Sequence, residues 1–155
     1  MKVSVITISD RASRGEYDDR SGPAIETILL AAIDGCVVTR YIVPDDREEI
    51  EHAFMESLGA DAIITTGGTG LSPRDITPEV TADFCDRLIP GIAEMLRFES
   101  FKETPNATLS RGTAGIKGNT LIINLPGSIR AVEFCTRLIA PILTHAIKMV
   151  AGEGH

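Results

Sequence analysis

A glycine-rich loop with a carboxylate close behind it is the part of this chain that most clearly indicates chemistry. The apolar residues 62–66 lead into the Gly-Gly-Thr-Gly run at residues 67–70, and Asp75 follows five residues later. Because glycine has no Cβ, backbone N–H groups in such a loop can approach an anion closely. An acid beside them suits a divalent cation that accompanies a phosphate. We therefore predict a phosphate site in which Asp75 holds Mg²⁺.

The glycine loop also has a purely structural interpretation. Glycines after a strand often do no more than turn the chain, and that interpretation stays open. The loop is not a Walker A motif, because no Lys-Ser or Lys-Thr pair follows Gly70, and its glycines lack the G-x-G-x-x-G spacing of a dinucleotide fold. The chain has no G-x-S-x-G elbow, and His52, His145 and His155 show no metal-binding spacing.

A second pair of acids, Asp45 and Asp46, follows a predicted strand at residues 37–43. Asp46 stands three residues before Glu49, as in a capping box, so we assign the helix cap to Asp46 and leave Asp45 free. Taken alone, such a pair is ordinarily two solvated turn acids. Asp45 and Asp75, however, follow two strands that could be neighbours. Mg²⁺ prefers one or two protein carboxylates with phosphate oxygens and water, so we predict that Asp45 and Asp75 share one site.

Two later loops could contribute to anion binding. Residues 124–128 (Asn-Leu-Pro-Gly-Ser) join a predicted strand to a helix, and the start of that helix could hold an anion. A simple strand–helix corner capped by Ser128 accounts for the same residues equally well. Ser110 and Arg111 offer a hydroxyl and a guanidinium suited to phosphate, although a lone arginine in a polar loop is more often only solvated.

Hydrophobic periodicity places these loops on a framework of alternating strands and helices. Strands are predicted at residues 3–8, 37–43, 61–66, 113–116 and 120–125, and helices at 23–34, 46–58, 77–88, 92–102 and from 129 onward. This order predicts a three-layer α/β/α sandwich with a mixed, mostly parallel sheet. Ligands of such sheets bind beyond the carboxyl ends of the strands, where Asp45 and the glycine loop both fall.

Composition limits the possible functions. A chain of 155 residues is most simply one domain, residues 1–155, and its net charge of −7 argues against nucleic-acid binding. Because the same negative charge would repel a polyphosphate, a binding site that carries Mg²⁺ is more plausible than one without a cation. Three widely spaced cysteines are typical of thiols in a reducing compartment. No signal peptide or membrane span is recognised, so we expect a cytoplasmic protein without membrane contact.

Beyond these features, the chain resembles the MogA/MoaB-type molybdenum-cofactor biosynthesis proteins, whose relatives include the gephyrin G domain. The resemblance covers nearly the whole chain. It rests on matching motifs in the same order, namely residues 8–11, Tyr17 with Asp19 and residues 21–23, residues 43–45, residues 66–70 with Asp75, residues 77–79, 90–91, 109–111 and 124–128. Residues 72–78 look more like the MogA and gephyrin type than the MoaB type.

The resemblance implies a Mg²⁺-dependent transfer of AMP from ATP to molybdopterin with release of pyrophosphate. It maps the catalytic, metal-holding acids onto Asp45 and Asp75, and it places Ser110, and less directly Ser100, on the pterin side. It also implies a homotrimer, and a molybdate-inserting partner protein can be expected. The residues that we assign to substrate and nucleotide binding are Ser9, Thr66, Gly67, Gly68, Thr69, Gly70, Ser110, Arg111, Pro126, Gly127 and Ser128.

Two competing functions fit the sequence less well. A MoaB-like molybdopterin carrier would keep the binding pocket and perform no chemistry. A phosphatase or amidase of another pathway could use a similar sheet. Release of pyrophosphate from ATP only when molybdopterin is present separates the first from an adenylyltransferase, and turnover of a different phosphate ester would favour the second.

Overall fold

The computed structural model describes residues 1–153, so His155 lies outside the described residues. Strands and helices alternate along most of the chain, and a 3₁₀ helix at Pro105–Leu109 precedes the last hairpin. The strands are β1 Lys2–Ile8, β2 Val37–Val43, β3 Ala62–Thr66, β4 Arg87–Leu88, β5 Ala114–Lys117 and β6 Thr120–Leu125. The helices are α1 Asp10–Ser13, α2 Ser21–Ala32, α3 Arg47–Glu56, α4 Thr77–Phe84, α5 Pro90–Glu103 and α6 Ile129–Val150.

All six strands form one sheet in the order β2-β1-β3-β6-β5-β4. β1 runs parallel to β2 and β3, and β3 runs parallel to β6. The hairpin between β5 and β6 is antiparallel, as is the pairing of β4 with β5. The predicted mixed, mostly parallel sheet is therefore confirmed.

Helices cover both faces of the sheet, because successive strand residues point to opposite sides. Val5 and Ile64 contribute to the larger core, which α2, α5 and α6 cover, whereas Ile6 and Ile63 contribute to the smaller core beneath α3 and α4. The three-layer α/β/α sandwich is confirmed by these two cores. No helix within residues 1–153 has the length and apolar character needed to cross a bilayer.

Capping follows the prediction at one helix and departs from it at another. Asp46 accepts hydrogen bonds from the backbone N–H groups of Glu48 and Glu49 at 3.0 and 3.3 Å, which confirms its role as the cap of α3. Ser128 occupies the position before α6, but its side chain makes no capping hydrogen bond. The start of the longest helix therefore keeps its backbone donors uncapped by that hydroxyl.

The predicted helix at residues 77–88 is wrong at its end. α4 stops at Phe84, and the following residues form β4 at the sheet edge. The N–H groups of Asp86 and Ile89 donate to the carbonyls of Ile116 and Ala114, both at 2.8 Å. Pairing with a strand about thirty residues away wins over local helix propensity, which is a weak preference.

The loops that could carry chemistry emerge at one edge of the sheet. β1, β2, β3 and β6 are parallel, so their carboxyl ends all face this edge. The expectation that the strands before Asp45 and Asp75 could be neighbours is wrong, because β1 lies between β2 and β3. The loop after β1, which begins at Ser9 and Asp10, is consequently placed between the two predicted acids.

Candidate active site

A cavity of about 250 Å³ lies at this edge and brings the two predicted acids together. Its lining combines the loops that follow β1, β2, β3 and β6 with the start of α2. The lining residues are Thr7, Ile8, Ser9, Ala12, Tyr17, Asp19, Ser21, Asp45, Thr66, Gly67, Gly68, Asp75 and Gly127. We call this space the acid cavity. Asp45 and Asp75 therefore face one site, as the sequence predicted.

Each of the two carboxylates is anchored through one oxygen and leaves the other available. Asp45 Oδ2 accepts a hydrogen bond from the N–H of Asp10 at 2.9 Å. Asp75 Oδ2 accepts one from the N–H of Ser72, also at 2.9 Å. Within residues 1–153, neither Oδ1 atom accepts a hydrogen bond. Two fixed carboxylates with one available oxygen each fit the hard, oxygen-rich coordination that Mg²⁺ prefers.

Glycine is required where the loop passes these carboxylates. Gly68 has a φ of +62°, and a Cβ there would lie 3.1 Å from Asp45 Oδ1 and would overlap the hydroxyl of Thr77. A Cβ on Gly70 would lie 3.0 Å from Asp75 Oδ2. The glycine loop is thus threaded between the two acids, and a larger residue would push one of them away.

The same loop presents unpaired backbone donors. Among the contacts within residues 1–153, the N–H groups of Gly68, Thr69 and Gly70 donate to no protein acceptor, whereas that of Gly67 donates to the carbonyl of Leu125 at 3.3 Å. Consecutive free N–H groups in a turn form a concave site for an anion. Phosphate can therefore be bound beside the two acids.

The electrostatics of the acid cavity differ between its carboxylates. Burial raises the pKa of Asp45 above its ordinary value, the N–H of Asp10 offsets part of this rise, and the negative charges of Asp10 and Asp75 add to it. The hydrogen bond from the Arg74 guanidinium lowers the pKa of Asp10. A nearby cation would therefore stabilise the ionised form of Asp45.

We expect Asp45→Asn to stabilise the fold at neutral pH. A carboxyl whose pKa is raised by folding binds its proton more tightly in the folded chain, so ionising it costs stability. That cost is absent at pH values below the ordinary pKa of 3.8, grows as the pH rises from 3.8 through the raised pKa, and stays constant above it. Thermal melts should show a higher Tm for Asp45→Asn at pH 7, with the difference shrinking as the pH falls.

Asp34→Asn is the matched control, because Asp34 is exposed and makes no hydrogen bond or ion pair within the described residues. This control should have the same Tm as the wild-type protein at pH 7. If Asp45→Asn melts at no higher temperature than this control at neutral pH, the stability cost that we assign to ionised Asp45 is contradicted.

A second, larger cavity of about 540 Å³ lies between α5 and α6. Its volume is in the range of pockets that hold a small organic ligand. Ser110 and Ser100, which the resemblance places on the pterin side, both line it. Three arginines and two glutamates also line it, an excess of positive charge in a chain of net charge −7: Arg97, Arg130, Arg137, Glu103 and Glu133.

The turn after β6 separates the two cavities. Gly127 lines the acid cavity, whereas Pro126 and Ser128 line the larger one. The turn is held in place by the Thr66 hydroxyl, which donates to the Pro126 carbonyl at 2.8 Å, and by the Ser21 hydroxyl, which donates to the Gly127 carbonyl at 3.1 Å. A ligand in the large cavity could therefore extend past this turn toward the two acids.

Arg111 is placed differently from the other predicted binding residues. It lines neither cavity, and its guanidinium donates to the carbonyl of Gly70 at 2.7 Å, to the carbonyl of Asp75 and to the carboxylate of Glu79. Its own N–H donates to the carbonyl of Thr69 at 2.9 Å. In this structure Arg111 therefore joins the glycine loop to the segment that carries Asp75.

Arg111→Met should destabilise the fold and displace Asp75. Losing three charge-assisted hydrogen bonds to ordered loops should lower the free energy of unfolding by about 2 to 3 kcal/mol in urea titrations. Arg40→Met is the matched control, because Arg40 forms an ion pair with Glu26 at 2.8 Å on an exposed surface, and such pairs contribute about 0 to 1 kcal/mol. Equal losses in the two variants would contradict the joining role.

The remaining predicted residues lie at or beside the two cavities. Ser9 caps α1, accepting from the N–H of Ala12 at 3.2 Å, and lines the acid cavity with Thr66. Thr69 is 5% exposed and, like Gly70, lies outside both linings.

Asp10, Asp19 and Tyr17 are site residues to which the sequence analysis gave no role. Asp19 accepts from the Thr7 hydroxyl at 2.9 Å and from the N–H groups of Ser21 and Gly22, both at 3.0 Å, and so shapes the wall of the acid cavity. Asp10 contacts Asp45 directly. Its position two residues after the end of β1, matching that of Asp45 after β2, is the sequence signal that could have identified it.

Comparison with known proteins agrees with this arrangement. A family model described as a probable molybdopterin binding domain matches residues 4–145, and the chain belongs to this family. The resemblance to the MogA/MoaB-type proteins is confirmed.

Individual relatives cover nearly all of the chain. A molybdopterin adenylyltransferase of Helicobacter pylori is 39% identical over 155 residues, which span 97% of this chain and 88% of that protein. The solved structure of the molybdopterin biosynthesis enzyme MoaB of Thermus thermophilus superposes with a TM-score of 0.87 at 41% identity, covering 97% of this chain and 96% of the other. A MogA structure gives a TM-score of 0.91 at 38% identity, covering 97% and 99%.

Proposed function

We propose that this chain is a molybdopterin adenylyltransferase, which transfers AMP from ATP to the terminal phosphate of molybdopterin and releases pyrophosphate, in molybdenum cofactor biosynthesis. The observation that carries the proposal is the meeting of Asp45 and Asp75 in one cavity lined by the glycine loop, next to a second cavity large enough for a pterin. Relatives at 37 to 39% identity that carry this name support it.

The two cavities suit the two substrates. Molybdopterin would occupy the larger cavity, where Ser100 and Ser110 offer hydroxyls and where three arginines outnumber two glutamates. Its terminal phosphate would reach past the turn at residues 126–128 into the acid cavity. ATP would place its phosphates beside the glycine loop, where the free N–H of Gly68 lies in the lining of the acid cavity. The reacting groups then meet where the two cavities adjoin.

The reaction joins two anions, so it depends on alignment and on neutralisation of charge. An oxygen of the molybdopterin phosphate attacks the α-phosphorus of ATP, the bond from that phosphorus to the β-phosphate oxygen breaks, and pyrophosphate leaves. Loop N–H groups would fix the phosphates, and the positive end of α6, which begins beside the larger cavity, would favour the attacking anion. No protein nucleophile is needed.

Asp45 and Asp75 would hold Mg²⁺ through their available Oδ1 atoms. When bound, the ion would supply neutralisation of the negative charge on the phosphates and on the departing pyrophosphate. Within residues 1–153 no group of three or more histidine, cysteine or acidic side chains is arranged to hold a metal. Phosphate oxygens and water would complete such a site.

Three further properties belong to the same proposal. The free thiols of Cys36, Cys85 and Cys135 suit a reducing compartment, and we place the reaction in the cytoplasm. Phe98 and Phe101 are 67% and 51% exposed on α5, which fits burial in a homotrimer. A molybdate-inserting partner would then receive the adenylylated pterin.

The proposal is tested by pyrophosphate release from ATP with and without molybdopterin, together with mass spectrometry of the pterin product. We expect pyrophosphate only when molybdopterin is present, in equal amount to adenylylated molybdopterin. Tight binding of molybdopterin without any pyrophosphate would instead indicate a carrier. Failure to bind molybdopterin, with turnover of another phosphate ester, would indicate an unrelated hydrolase.

A further inference from the structure

Arg74, which precedes Asp75 in the chain, is held by an acid that the proposed reaction does not use. The guanidinium of Arg74 donates to Asp10 Oδ2 from Nη2 at 2.6 Å and from Nε at 3.2 Å. Both bonds end on one carboxylate oxygen, so the arginine is bound at a single point and not across the two-oxygen fork that fixes such pairs most firmly.

Asp10 in turn is locked to Asp45. The N–H of Asp10 donates to Asp45 Oδ2 at 2.9 Å, and the N–H of Asp45 donates to Asp10 Oδ1 at 3.1 Å. These reciprocal bonds join the loops after β1 and β2. One carboxylate oxygen of Asp10 therefore accepts from Asp45 and the other accepts from Arg74. Asp10 thus holds the positive charge of Arg74 close to Asp45.

Arg74 is placed so that it can leave. Its side chain is 65% exposed, and Asp10 is its partner in every side-chain hydrogen bond and ion pair within residues 1–153. Its segment, residues 71–76 between the glycine loop and α4, is exposed or half-buried throughout. A long, flexible side chain with one surface partner can change partner at little cost.

Arg74 is also the cation that is joined through Asp10 to the acids of the cavity. Three carboxylates, those of Asp19, Asp45 and Asp75, line the cavity, and Asp10 is bonded to Asp45. Three other nearby arginines have other partners. The guanidinium of Arg11 lies over the ring of Tyr17, 5.4 Å from the ring centre. Arg111 is bound to the carbonyls of Gly70 and Asp75, and Arg14 pairs with Glu16 at 2.7 Å.

We propose that Arg74 is an exchangeable counter-charge: Asp10 holds it against the acids in the free protein, and it moves to the phosphates when the metal–nucleotide complex enters. The inference rests on the proposed function and adds a residue that contacts the nucleotide phosphates. A divalent cation competes with Arg74 for the acids, whereas a polyphosphate attracts it. A planar guanidinium is well suited to the second partner.

This role predicts effects of opposite sign on the two ligands. Arg74→Gln removes one positive charge beside the acids, so Mn²⁺ without nucleotide should bind about three- to tenfold more tightly. The same change removes a phosphate partner, so ATP at saturating Mg²⁺ should bind about tenfold more weakly. If Arg74 served only as a structural latch that fixes the loop carrying Asp75, Arg74→Gln would disorder this loop. The variant would then bind both Mn²⁺ and ATP more weakly.

The measurement combines Mn²⁺ titration followed by electron paramagnetic resonance with calorimetric titration of ATP, on the full chain. Arg40→Gln is the matched control and should change neither affinity. Arg40 lies in the middle of β2 and pairs with Glu26 of α2. Asp10→Asn should weaken Mn²⁺ binding. The double variant Asp10→Asn with Arg74→Gln should return close to the wild-type Mn²⁺ affinity, because the two removed charges cancel.

Failure of this inference can be told from failure of the proposed function. Wild-type protein that binds Mn²⁺ and ATP, with Arg74→Gln weakening both or altering neither, would overturn the exchange alone. Wild-type protein that binds neither would overturn the proposed function and the exchange with it. The Tm of every variant, measured by circular dichroism, should lie within a few degrees of the wild-type value. A large fall in the Tm of Arg74→Gln would favour a purely structural role for Arg74.

Discussion

Replacing Asp75 with asparagine should slow the adenylylation of molybdopterin by about a thousandfold or more. Asparagine can still accept the hydrogen bond that Asp75 Oδ2 takes from the N–H of Ser72 at 2.9 Å, so the loop should keep its shape. What it lacks is the negative charge at Oδ1 that would hold the cation. Asp45→Asn should have an effect of similar size for the same reason.

Molybdopterin binding should survive in both variants, because neither Asp45 nor Asp75 lines the larger cavity. Pre-steady-state pyrophosphate release and fluorescence titration of molybdopterin provide the two readouts. Asp34→Asn, an exposed acid after α2, should behave as wild type in both. Near-normal AMP transfer by Asp75→Asn would contradict the role of this carboxylate.

Gly67→Ala should be strongly destabilising, because the added methyl group meets backbone atoms. Gly67 has a φ of +98°, and a Cβ there would overlap the carbonyl oxygen of Ile8. Both partners are backbone, at the ends of two paired central strands, so neither can turn aside as a side chain would. The free energy of unfolding should fall by roughly 3 kcal/mol or more, and turnover should fall with it.

Substitutions at two other glycines separate the penalty for a positive φ from the steric clash of the added Cβ. Gly35 has a φ of +68° and open space around its would-be Cβ, so Gly35→Ala should cost only the backbone penalty, about 1 to 2 kcal/mol. Gly59 has open space and no positive φ, so Gly59→Ala should be close to neutral. Urea titrations that rank Gly67→Ala no worse than Gly35→Ala would contradict the clash with β1.

The sequence was most informative where the signal is local. Asp46 was recognisable as a helix cap from the acid three residues behind it, and the strand before the glycine loop was recognisable from its apolar, β-branched residues. The meeting of Asp45 with Asp75 could also be foreseen, because loops at the carboxyl ends of parallel strands share one edge. These features depend on spacing along the chain or on a general property of the fold.

The features that escaped prediction depend on partners far away in sequence. β1 separates β2 from β3, and this strand order brings Asp10 against Asp45, 35 residues away, and Arg74, 64 residues away. Arg111 could be expected to face phosphate, whereas its contacts to Gly70 and Asp75 arise only in the folded chain. Hydrogen bonds between such distant residues leave no periodic signal, so the structure was needed to reveal them.

The position of the metal ion tests the central claim most directly. Crystals grown with Mn²⁺ and α,β-methylene-ATP, in which the bond that must break cannot be hydrolysed, should be measured at the manganese absorption edge. We predict an anomalous peak that contacts the carboxylates of both Asp45 and Asp75 and a phosphate of the nucleotide. A nucleotide-bound structure in which manganese contacts neither carboxylate would contradict this account.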